Sequence, residues 1–290
     1  MTSKAPSEAK TSKTAKERIA FQGEFGAFSQ AAILQMLGAQ AVAVPFPTFE
    51  EAFRSLAAGR VTGAMIPLEN TLHGSVHENY DHLMNFSLPI VAETSVRIVH
   101  NLIALPGVKF KDVRHVYSHP VALNQCLDFF RHNPQITRVS HYDTAGSVKM
   151  LTEQRPDASA AIASALAAEQ YGCHILKKSI EDDRQNFTRF FLLRRKAETP
   201  TKAARGWKTS LVFTTRNTPG ALFRAMSAFA LRDLSLTKIE SRPFKGRRWE
   251  YIFYLDFLGH VDDIVSQRAL SHLQESADMV KVLGCYPRGD

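Results

Sequence analysis

The stretch RIAFQGEFGAFSQAAILQML, residues 18–37, sets the fold class. It begins as a short β-like run, continues through a glycine-rich turn and ends in an amphipathic run with helical spacing. The same order returns in AVAVPF and TFEEAFRSLAAG, residues 41–59, and GAMIPL follows as a further strand. Repeated strand, loop and helix predict an α/β fold with a mostly parallel sheet. Thr48 and Glu51 have the spacing of a capping box at the start of a helix.

A longer β-like passage, LPIVAETSVRIVHNLIAL at residues 88–105, separates these elements from a second α/β set that ends in HILKKSI. The passage is too long for one average strand, so we expect it to cross between two lobes. Two lobes joined by extended crossings enclose a cleft, which is the usual place for a small ligand.

A different unit begins at Lys208, after the charged segment RRKAETPTKAARGWK. Its runs follow the order strand, helix, strand, strand, helix, strand, which is the ferredoxin-like βαββαβ arrangement. We therefore predict a tail at 1–17, a two-lobed domain at 18–195, a linker at 196–207 and a C-terminal domain at 208–290.

The net charge of +8 at pH 7 comes from two segments of the 290-residue chain. Residues 1–18 contribute +3 and residues 194–208 contribute +5, so the remainder is balanced. Because the basic residues belong to a tail and a linker, nucleic acid is not expected as a partner. The Lys-, Ser-, Thr- and Ala-rich tail is predicted to be disordered, with a trimmed transit peptide as the second interpretation.

Cellular location is predicted from what the sequence lacks. The N-terminus has no apolar core of signal-peptide length, and no run approaches the ~18 apolar residues of a membrane span. Cys126, Cys173 and Cys285 have no metal-ligand spacing. We expect a cytoplasmic protein with no metal, no cofactor and no membrane partner, in which the glycosylation pattern Asn186-Phe187-Thr188 is incidental.

Small polar groups cluster at four predicted junctions between strands and helices, at residues 23–29, 69–75, 118–125 and 144–147. In parallel α/β units such junctions meet at one edge, where the backbone N–H groups of helix N-termini attract anions. The junctions together predict one anion-binding cleft. Taken singly, each has a purely structural alternative: the glycines could serve to shape a turn, and Ser118 and Thr144 could serve to cap helices.

The segment NFTRF, residues 186–190, brings an amide, a hydroxyl and a guanidinium together. In a strand, Asn186 and Thr188 share one face and Arg189 points to the other. Asn186 and Thr188 could therefore act on one substrate, and Arg189 could bind a carboxylate in bidentate fashion. The alternatives are a structural salt bridge for Arg189 and a back-bonded hydroxyl for Thr188.

Six segments in this order resemble the prephenate dehydratases and their arogenate-using relatives: GEFGAFSQAA, IPLENTLHGSV, SHPVALNQC, DTAGSV, AAIASALAAEQYG and NFTRF. PGALFRAMSAFALRDLSLTKIESRP resembles the ACT regulatory domain of these enzymes. The resemblance implies a bilobed, periplasmic-binding-protein-like catalytic domain with its active site in the cleft. It also implies a ferredoxin-like ACT domain that binds phenylalanine at a subunit interface, in a homodimer or homotetramer.

The resemblance also implies site residues by motif position. By this correspondence Thr188 and Arg189 are the expected catalytic residues, and Asn70, Ser118 and Gln125 are expected to bind the substrate. We add Thr144 and Asn186 to the expected substrate-binding residues. The phenylalanine site is expected at Gly220, Ala221, Leu222, Glu240, Ser241, Arg242 and Pro243. Thr218 is predicted to cap the helix that follows it. Glu24 would repel a dianionic substrate, so we expect its side chain to point away from the cleft.

The activity implied by the resemblance is the decarboxylating dehydration of prephenate to phenylpyruvate, without a cofactor and with feedback control by phenylalanine. Thr188 is the expected hydrogen-bond donor to the leaving hydroxyl, held in a preorganised site. One alternative is an arogenate dehydratase that gives phenylalanine directly. Another is a non-catalytic amino-acid sensor or solute-binding protein, because bilobed clefts and ACT units also serve binding alone.

Overall fold

The computed structural model describes residues 16–197, 206–244 and 246–289. The predicted tail, apart from its last two residues, and most of the predicted linker lie outside these ranges. The strands are β1 Arg18–Gln22, β2 Val42–Phe46, β3 Gly63–Asn70, β4 Gly74–Ser75, β5 Ile90–Arg97, β6 Asn101–Ala104, β7 His115–Ser118, β8 Thr137–Ser140, β9 Ser159–Ala163, β10 His174–Lys177, β11 Phe187–Leu193, β12 Trp207–Thr214, β13 Leu236–Pro243, β14 Tyr251–Leu258 and β15 Met279–Pro287. The α-helices are α1 Phe28–Leu37, α2 Phe49–Ala57, α3 His77–Asn85, α4 Pro120–Asn124, α5 Leu127–Arg131, α6 Thr144–Gln154, α7 Ala165–Gln170, α8 Ala221–Ala230 and α9 Ile264–Ser276.

The first lobe has the strand order β5-β11-β3-β1-β2. β1 pairs in parallel with β2 and β3, but β11 runs antiparallel to both β3 and β5. The prediction of a mostly parallel sheet is therefore wrong for this lobe. The strands are antiparallel because β5 takes the chain out of the lobe and β11 brings it back, so the two run in opposite directions.

The second lobe has the strand order β10-β6-β9-β7-β8. β5 and β6 belong to different sheets, so the passage at 88–105 crosses between the lobes as predicted. The segment HPVALNQCLDFFRHN forms two helices, α4 and α5. The chain turns between them because the Asp182 carboxylate accepts from the backbone N–H groups of Leu127 and Asp128, at 2.7 and 2.9 Å, and starts a new helix there.

The C-terminal unit has the predicted βαββαβ order and the ferredoxin-like strand order β13-β14-β12-β15. α8 and α9 cover one face of this sheet, around a core that includes Phe213, Phe229 and Phe257. The other side shares a core with the first lobe, in which Tyr254 and Tyr286 pack with Phe191, Leu193 and other residues. The C-terminal unit is thus docked firmly on the first lobe.

Glycine at position 284 makes this docking possible. β15 meets β5 in parallel at Gly284 and Ile90, which joins the two sheets. A Cβ atom at position 284 would lie 2.2 Å from the carbonyl oxygen of Ile90. Only glycine lets the two backbones approach this closely.

Two predicted helix caps have different outcomes. The Thr48 hydroxyl accepts from the backbone N–H of Glu51 at 3.2 Å, so the predicted cap of α2 is confirmed. Thr218 does not cap α8, because Gly220 occupies the N-cap position with a left-handed φ of 76°. The Thr218 hydroxyl instead accepts from the Arg224 guanidinium at 3.2 Å.

In the described ranges, none of the helices has the length and apolar content needed to cross a bilayer. Nor do these residues contain a group of three His, Cys, Asp or Glu side chains arranged to hold a metal ion.

Candidate active site

A cleft of about 590 Å³ opens between the two lobes of the first domain. All four predicted junctions and the NFTRF segment contribute to its wall. The residues from these segments that line the cleft include Ala27, Phe28, Ser29, Asn70, His73, Ser75, His119, Val121, Gln125, Thr144, Thr188 and Phe190. The first turns of α1 and α6 lie at the wall, and the N-terminus of α1 has no side-chain cap.

Thr188 and Asn70 form the centre of the polar wall. They are cross-strand partners on β11 and β3, and the Asn70 amide nitrogen donates to the Thr188 hydroxyl oxygen at 3.0 Å. The Asn70 amide oxygen accepts from the backbone N–H groups of Leu72 and His73, at 3.0 and 2.9 Å. Since the Thr188 oxygen accepts from Asn70, its hydroxyl proton is available to a group in the cleft.

Asn186 lies behind this pair instead of lining the cleft. It is fully buried. Its amide oxygen accepts from Asn70 at 2.7 Å and its amide nitrogen donates to the Gln125 oxygen at 3.0 Å. The prediction that Asn186 contacts the substrate is corrected: the residue braces Asn70 and Gln125, both of which line the cleft.

His100 also contacts Gln125 and was not anticipated from the sequence. Its Nε2 lies 2.8 Å from the Gln125 amide oxygen, and its ring packs edge-on against Phe28. Burial lowers the pKa of His100, against the opposing effects of the Gln125 hydrogen bond and the Glu181 carboxylate. A neutral imidazole therefore borders the cleft. A histidine inside the apolar run VRIVHNLIAL was the available signal.

Ser118 and Thr144 do not cap helices, and only Thr144 lines the cleft. Ser118 is fully buried and donates to the Ile162 carbonyl at 2.7 Å, which corrects its prediction as a substrate-binding residue. The caps are the neighbouring residues: His119 Nδ1 accepts from Val121 N–H at 3.2 Å, and the Asp143 carboxylate accepts from Gly146 N–H at 2.7 Å.

The side chains of His119 and Asp143 both line the cleft. Burial lowers the pKa of His119, partly opposed by the Asp143 carboxylate. Burial also raises the pKa of Asp143, although the hydrogen bond from Gly146 favours its charged form. The cleft therefore disfavours added charge on both groups.

Arg189 points to the opposite face of β11, so its prediction as a carboxylate clamp is corrected. Its Nε lies 2.9 Å from Glu69, and its Nη1 lies 2.9 Å from Asp256 and 3.4 Å from Glu93. Although burial disfavours the charged guanidinium, the carboxylates of Asp256, Glu69 and Glu93 raise the pKa of Arg189. Arg189 is a structural ion-pair residue between the first lobe and the C-terminal unit.

Glu24 is not among the residues that line the cleft, and its carboxylate forms an ion pair. Its carboxylate accepts from Lys149 at 3.1 Å and from the Tyr142 hydroxyl at 3.2 Å. Among the described residues that line the cleft, none is Lys or Arg. An anion in the cleft would thus be held by neutral donors and the uncapped N-terminus of α1.

The predicted phenylalanine-site residues lie at the start of α8 and on β13, the edge strand of the sheet. Gly220, Ala221 and Leu222 begin α8. Glu240 lies 3.8 Å from His77, and the Arg242 guanidinium pairs with Asp81, so both side chains contact the first lobe near α3. Ser241 and Pro243 alternate with them on the exposed face of β13. Phenylalanine binding by these residues stays a prediction.

Three comparisons relate the chain to known proteins. The prephenate dehydratase family model matches residues 19–198. A curated chloroplastic arogenate dehydratase/prephenate dehydratase from Arabidopsis thaliana is 41% identical over 286 residues, which cover 94% of this chain and 72% of the relative.

Two solved structures match 93% of the chain, each with 34% identity and a TM-score of 0.86. One is a prephenate dehydratase from Arthrobacter aurescens in complex with L-Phe, of which 90% is covered. The other is GqqA, described as a quorum-quenching acylase, of which 98% is covered.

Proposed function

Since this chain belongs to the prephenate dehydratase family, we propose that it catalyses the decarboxylating dehydration of prephenate to phenylpyruvate in phenylalanine biosynthesis. Membership of this family makes the chain a dehydratase of the lyase class. The observation that supports the specific proposal most strongly is the Asn70–Thr188 pair, which presents a hydroxyl proton to the interlobe cleft.

The reaction makes modest chemical demands. The bond between the ring and its carboxylate breaks and releases CO₂, and the electron pair of that bond enters the ring. The ring hydroxyl leaves with a proton as water, and the ring becomes aromatic. Because aromatisation drives the reaction, the protein must supply a hydrogen-bond or proton donor to the leaving hydroxyl and an anchor for the retained carboxylate.

Thr188 is proposed as the donor to the leaving hydroxyl. A threonine hydroxyl is a weak acid, so a fixed geometry must provide much of the stabilisation. Asn70 provides this geometry, because two backbone N–H groups hold its oxygen and its nitrogen then faces Thr188. The resulting hydroxyl is aimed where charge develops on the leaving oxygen.

The retained carboxylate is proposed to bind to neutral donors. The Gln125 amide oxygen accepts from Asn186 and contacts His100, which leaves its amide nitrogen to the cleft. His119 Nδ1 accepts a backbone hydrogen bond, so the neutral ring has its proton on Nε2 and is a second donor. The N-terminus of α1, which no side chain caps, adds a favourable dipole.

Arogenate is the second candidate substrate, and it differs from prephenate by an amino group in place of the keto group. Glu78 and Asp143 both line the cleft, and either carboxylate could pair with the ammonium group. The Arabidopsis relative is named for both substrates.

The acylase described for GqqA is the less favoured activity. Amide hydrolysis needs an activated nucleophile, and the Thr188 hydroxyl contacts an amide donor, Asn70, instead of a general base.

L-Phenylalanine is proposed as an effector of the C-terminal unit, which would act as an ACT domain in a homodimer or homotetramer. The similar Arthrobacter enzyme was solved with L-Phe. We also propose a cytoplasmic location, in keeping with the three free thiols.

Purified protein incubated separately with prephenate and arogenate, with phenylpyruvate and phenylalanine followed as products, tests the function. We expect turnover of prephenate, and a Thr188→Val sample at the same concentration controls for contaminating enzymes and spontaneous breakdown. Preferential turnover of arogenate would replace prephenate as the substrate. If folded protein converts neither compound, the dehydratase assignment is wrong and the sensor interpretation takes its place.

A further inference from the structure

His100 lies between β5 and β6, where the chain crosses from one lobe to the other. Its backbone is held on both sides: the N–H donates to the Glu181 carboxylate at 3.0 Å, and the carbonyl accepts from Ile180 at 2.9 Å. Only 2% of the residue is exposed, and its Nδ1 is buried without a hydrogen-bond partner in the described part of the chain. Among the described residues, the His100 side chain has one polar contact, the Gln125 amide.

Which group donates in that contact is set by backbone N–H groups at the far end of a chain of hydrogen bonds. The N–H groups of Leu72 and His73 can only donate, so the Asn70 side chain must face them with its oxygen. Asn70 then donates to the oxygen of Asn186, and Asn186 donates to the oxygen of Gln125. Since His100 Nε2 also faces that oxygen, it must be the protonated ring nitrogen.

Building on the dehydratase function proposed above, we propose that His100 is a positioning residue that fixes the orientation of the Gln125 amide, so that its NH₂ group faces the substrate. Two donors, His100 Nε2 and Asn186 Nδ2, converge on the Gln125 oxygen at 2.8 and 3.0 Å. A flipped amide would present hydrogens to both donors. Without His100 only Asn186 opposes the flip.

The unpartnered Nδ1 of His100 explains why this position needs a neutral imidazole. A second proton would have to reside on Nδ1, which is buried and has no described acceptor. The Glu181 carboxylate is occupied by Arg97 and by the backbone N–H of His100. The ring therefore keeps one tautomer and one function, donation to Gln125.

A double-mutant cycle between His100 and Gln125 tests the proposal. For whichever substrate the wild-type protein converts, we expect His100→Phe, which keeps a ring against Phe28, to lower kcat/KM about tenfold or more. His100→Gln, which can donate to the same oxygen, should recover most of the loss. In a Gln125→Met background, His100→Phe should change kcat/KM by less than about twofold, because the group that it positions is gone.

The proposal would be overturned if His100→Phe kept the wild-type kcat/KM. It would also be overturned if His100→Phe lowered kcat/KM by the same factor in the wild-type and Gln125→Met backgrounds. His174→Phe is the matched control, because the His174 Nε2 also contacts an amide-type oxygen, the Val108 carbonyl at 3.2 Å, but lies outside the cleft lining. It should retain wild-type activity. If the wild-type protein converts neither prephenate nor arogenate, the proposed function fails and not the role of His100.

Nitrogen-15 NMR of the histidine rings supplies a measurement on the unmodified chain, should His100→Phe not fold. The His100 signal, assigned by its loss in His100→Gln, should have the pattern of a neutral ring protonated at Nε2. A ring protonated at Nδ1 would reverse the polarity of the amide chain and overturn the proposal.

Discussion

Thr188 illustrates how one hydroxyl acquires a role from its neighbours. Its oxygen accepts from Asn70, whose direction is set by two backbone N–H groups. With its oxygen engaged by Asn70, the hydroxyl can donate its proton toward the cleft. A threonine on the same strand without such a partner would rotate freely and would donate poorly to a leaving group.

Replacing Thr188 with valine should remove the donor and keep the shape. Asn70 retains its contact with Asn186, so no buried amide is left without a partner. We expect kcat to fall about 10²–10⁴-fold, with little change in Tm or in substrate affinity. Steady-state kinetics and thermal unfolding measure both. Thr237→Val, an exposed change on β13, should behave as wild type, and full turnover by Thr188→Val would refute the assignment.

His100 should also make stability depend on pH. Burial holds its pKa below the ordinary value of 6.5, so below that pH the unfolded chain binds a proton that the folded protein does not. The contribution of neutral His100 to the free energy of unfolding is therefore fully present above about pH 6.5 and is lost as the pH falls. We expect the free energy of unfolding, measured by urea denaturation between about pH 7.5 and pH 5, to fall less steeply with decreasing pH in His100→Gln than in wild type. Equal slopes would show that His100 titrates normally.

At the scale of the element, β11 has two faces with separate functions. Thr188 faces the cleft and Arg189 faces the C-terminal unit, as strand alternation requires. β3 repeats this arrangement, with Asn70 on the cleft side and Glu69 paired with Arg189. The strand pair at the active site therefore also forms the interface with the C-terminal unit.

Arg189→Lys should reduce stability without weakening substrate binding. One guanidinium spans Glu69, Glu93 and Asp256, and a lysine ammonium cannot match that fork. We expect a loss of about 1–3 kcal/mol in the free energy of unfolding and an unchanged substrate Kd. Arg54→Lys, in an exposed pair with Glu50, should cost less than about 0.5 kcal/mol. A weakened Kd with normal stability would return Arg189 to the substrate site.

At the scale of the whole molecule, charged side chains connect the C-terminal unit with the strands of the active site. Lys238 on β13 contacts the Glu69 carboxylate, and Lys208 on β12 contacts Glu93 at 2.6 Å. Glu69 neighbours Asn70 on β3. Movement of β13 relative to the first lobe would therefore act directly on the strand that holds Asn70.

Lys238→Met should weaken control by phenylalanine more than it weakens catalysis. The change removes the contact with Glu69 but keeps an unbranched chain against Tyr80. If phenylalanine shifts KM through a coupling of about 1–3 kcal/mol, we expect the variant to lose most of that shift. The measurement is KM with and without phenylalanine. Arg216→Met, in an exposed pair with Asp278, is the control, and an undiminished shift in Lys238→Met would exclude this route.

The sequence by itself determined the elements and most of the cleft. Apolar periodicity in RIAFQ and FSQAAILQML is local, and so are the βαββαβ order after Lys208 and the capping of α2 by Thr48. Within each lobe the junction segments meet at one edge of that lobe's sheet, and the two edges face each other across the cleft. These features depend on residues close in the chain, or on rules that hold for every α/β sheet.

Only the tertiary structure decided which polar groups face the cleft and which face other protein groups. Strand alternation places Thr188 and Arg189 on opposite faces, but it does not predict that three carboxylates, from β3, β5 and β14, lie beside Arg189. Likewise, Ser118 donates to β9, Asn186 lies behind Asn70, and His100 reaches Gln125 across the lobe crossing. The physical reason is that a buried polar group takes the partner that long-range packing brings within hydrogen-bonding distance, and the local sequence does not specify that partner.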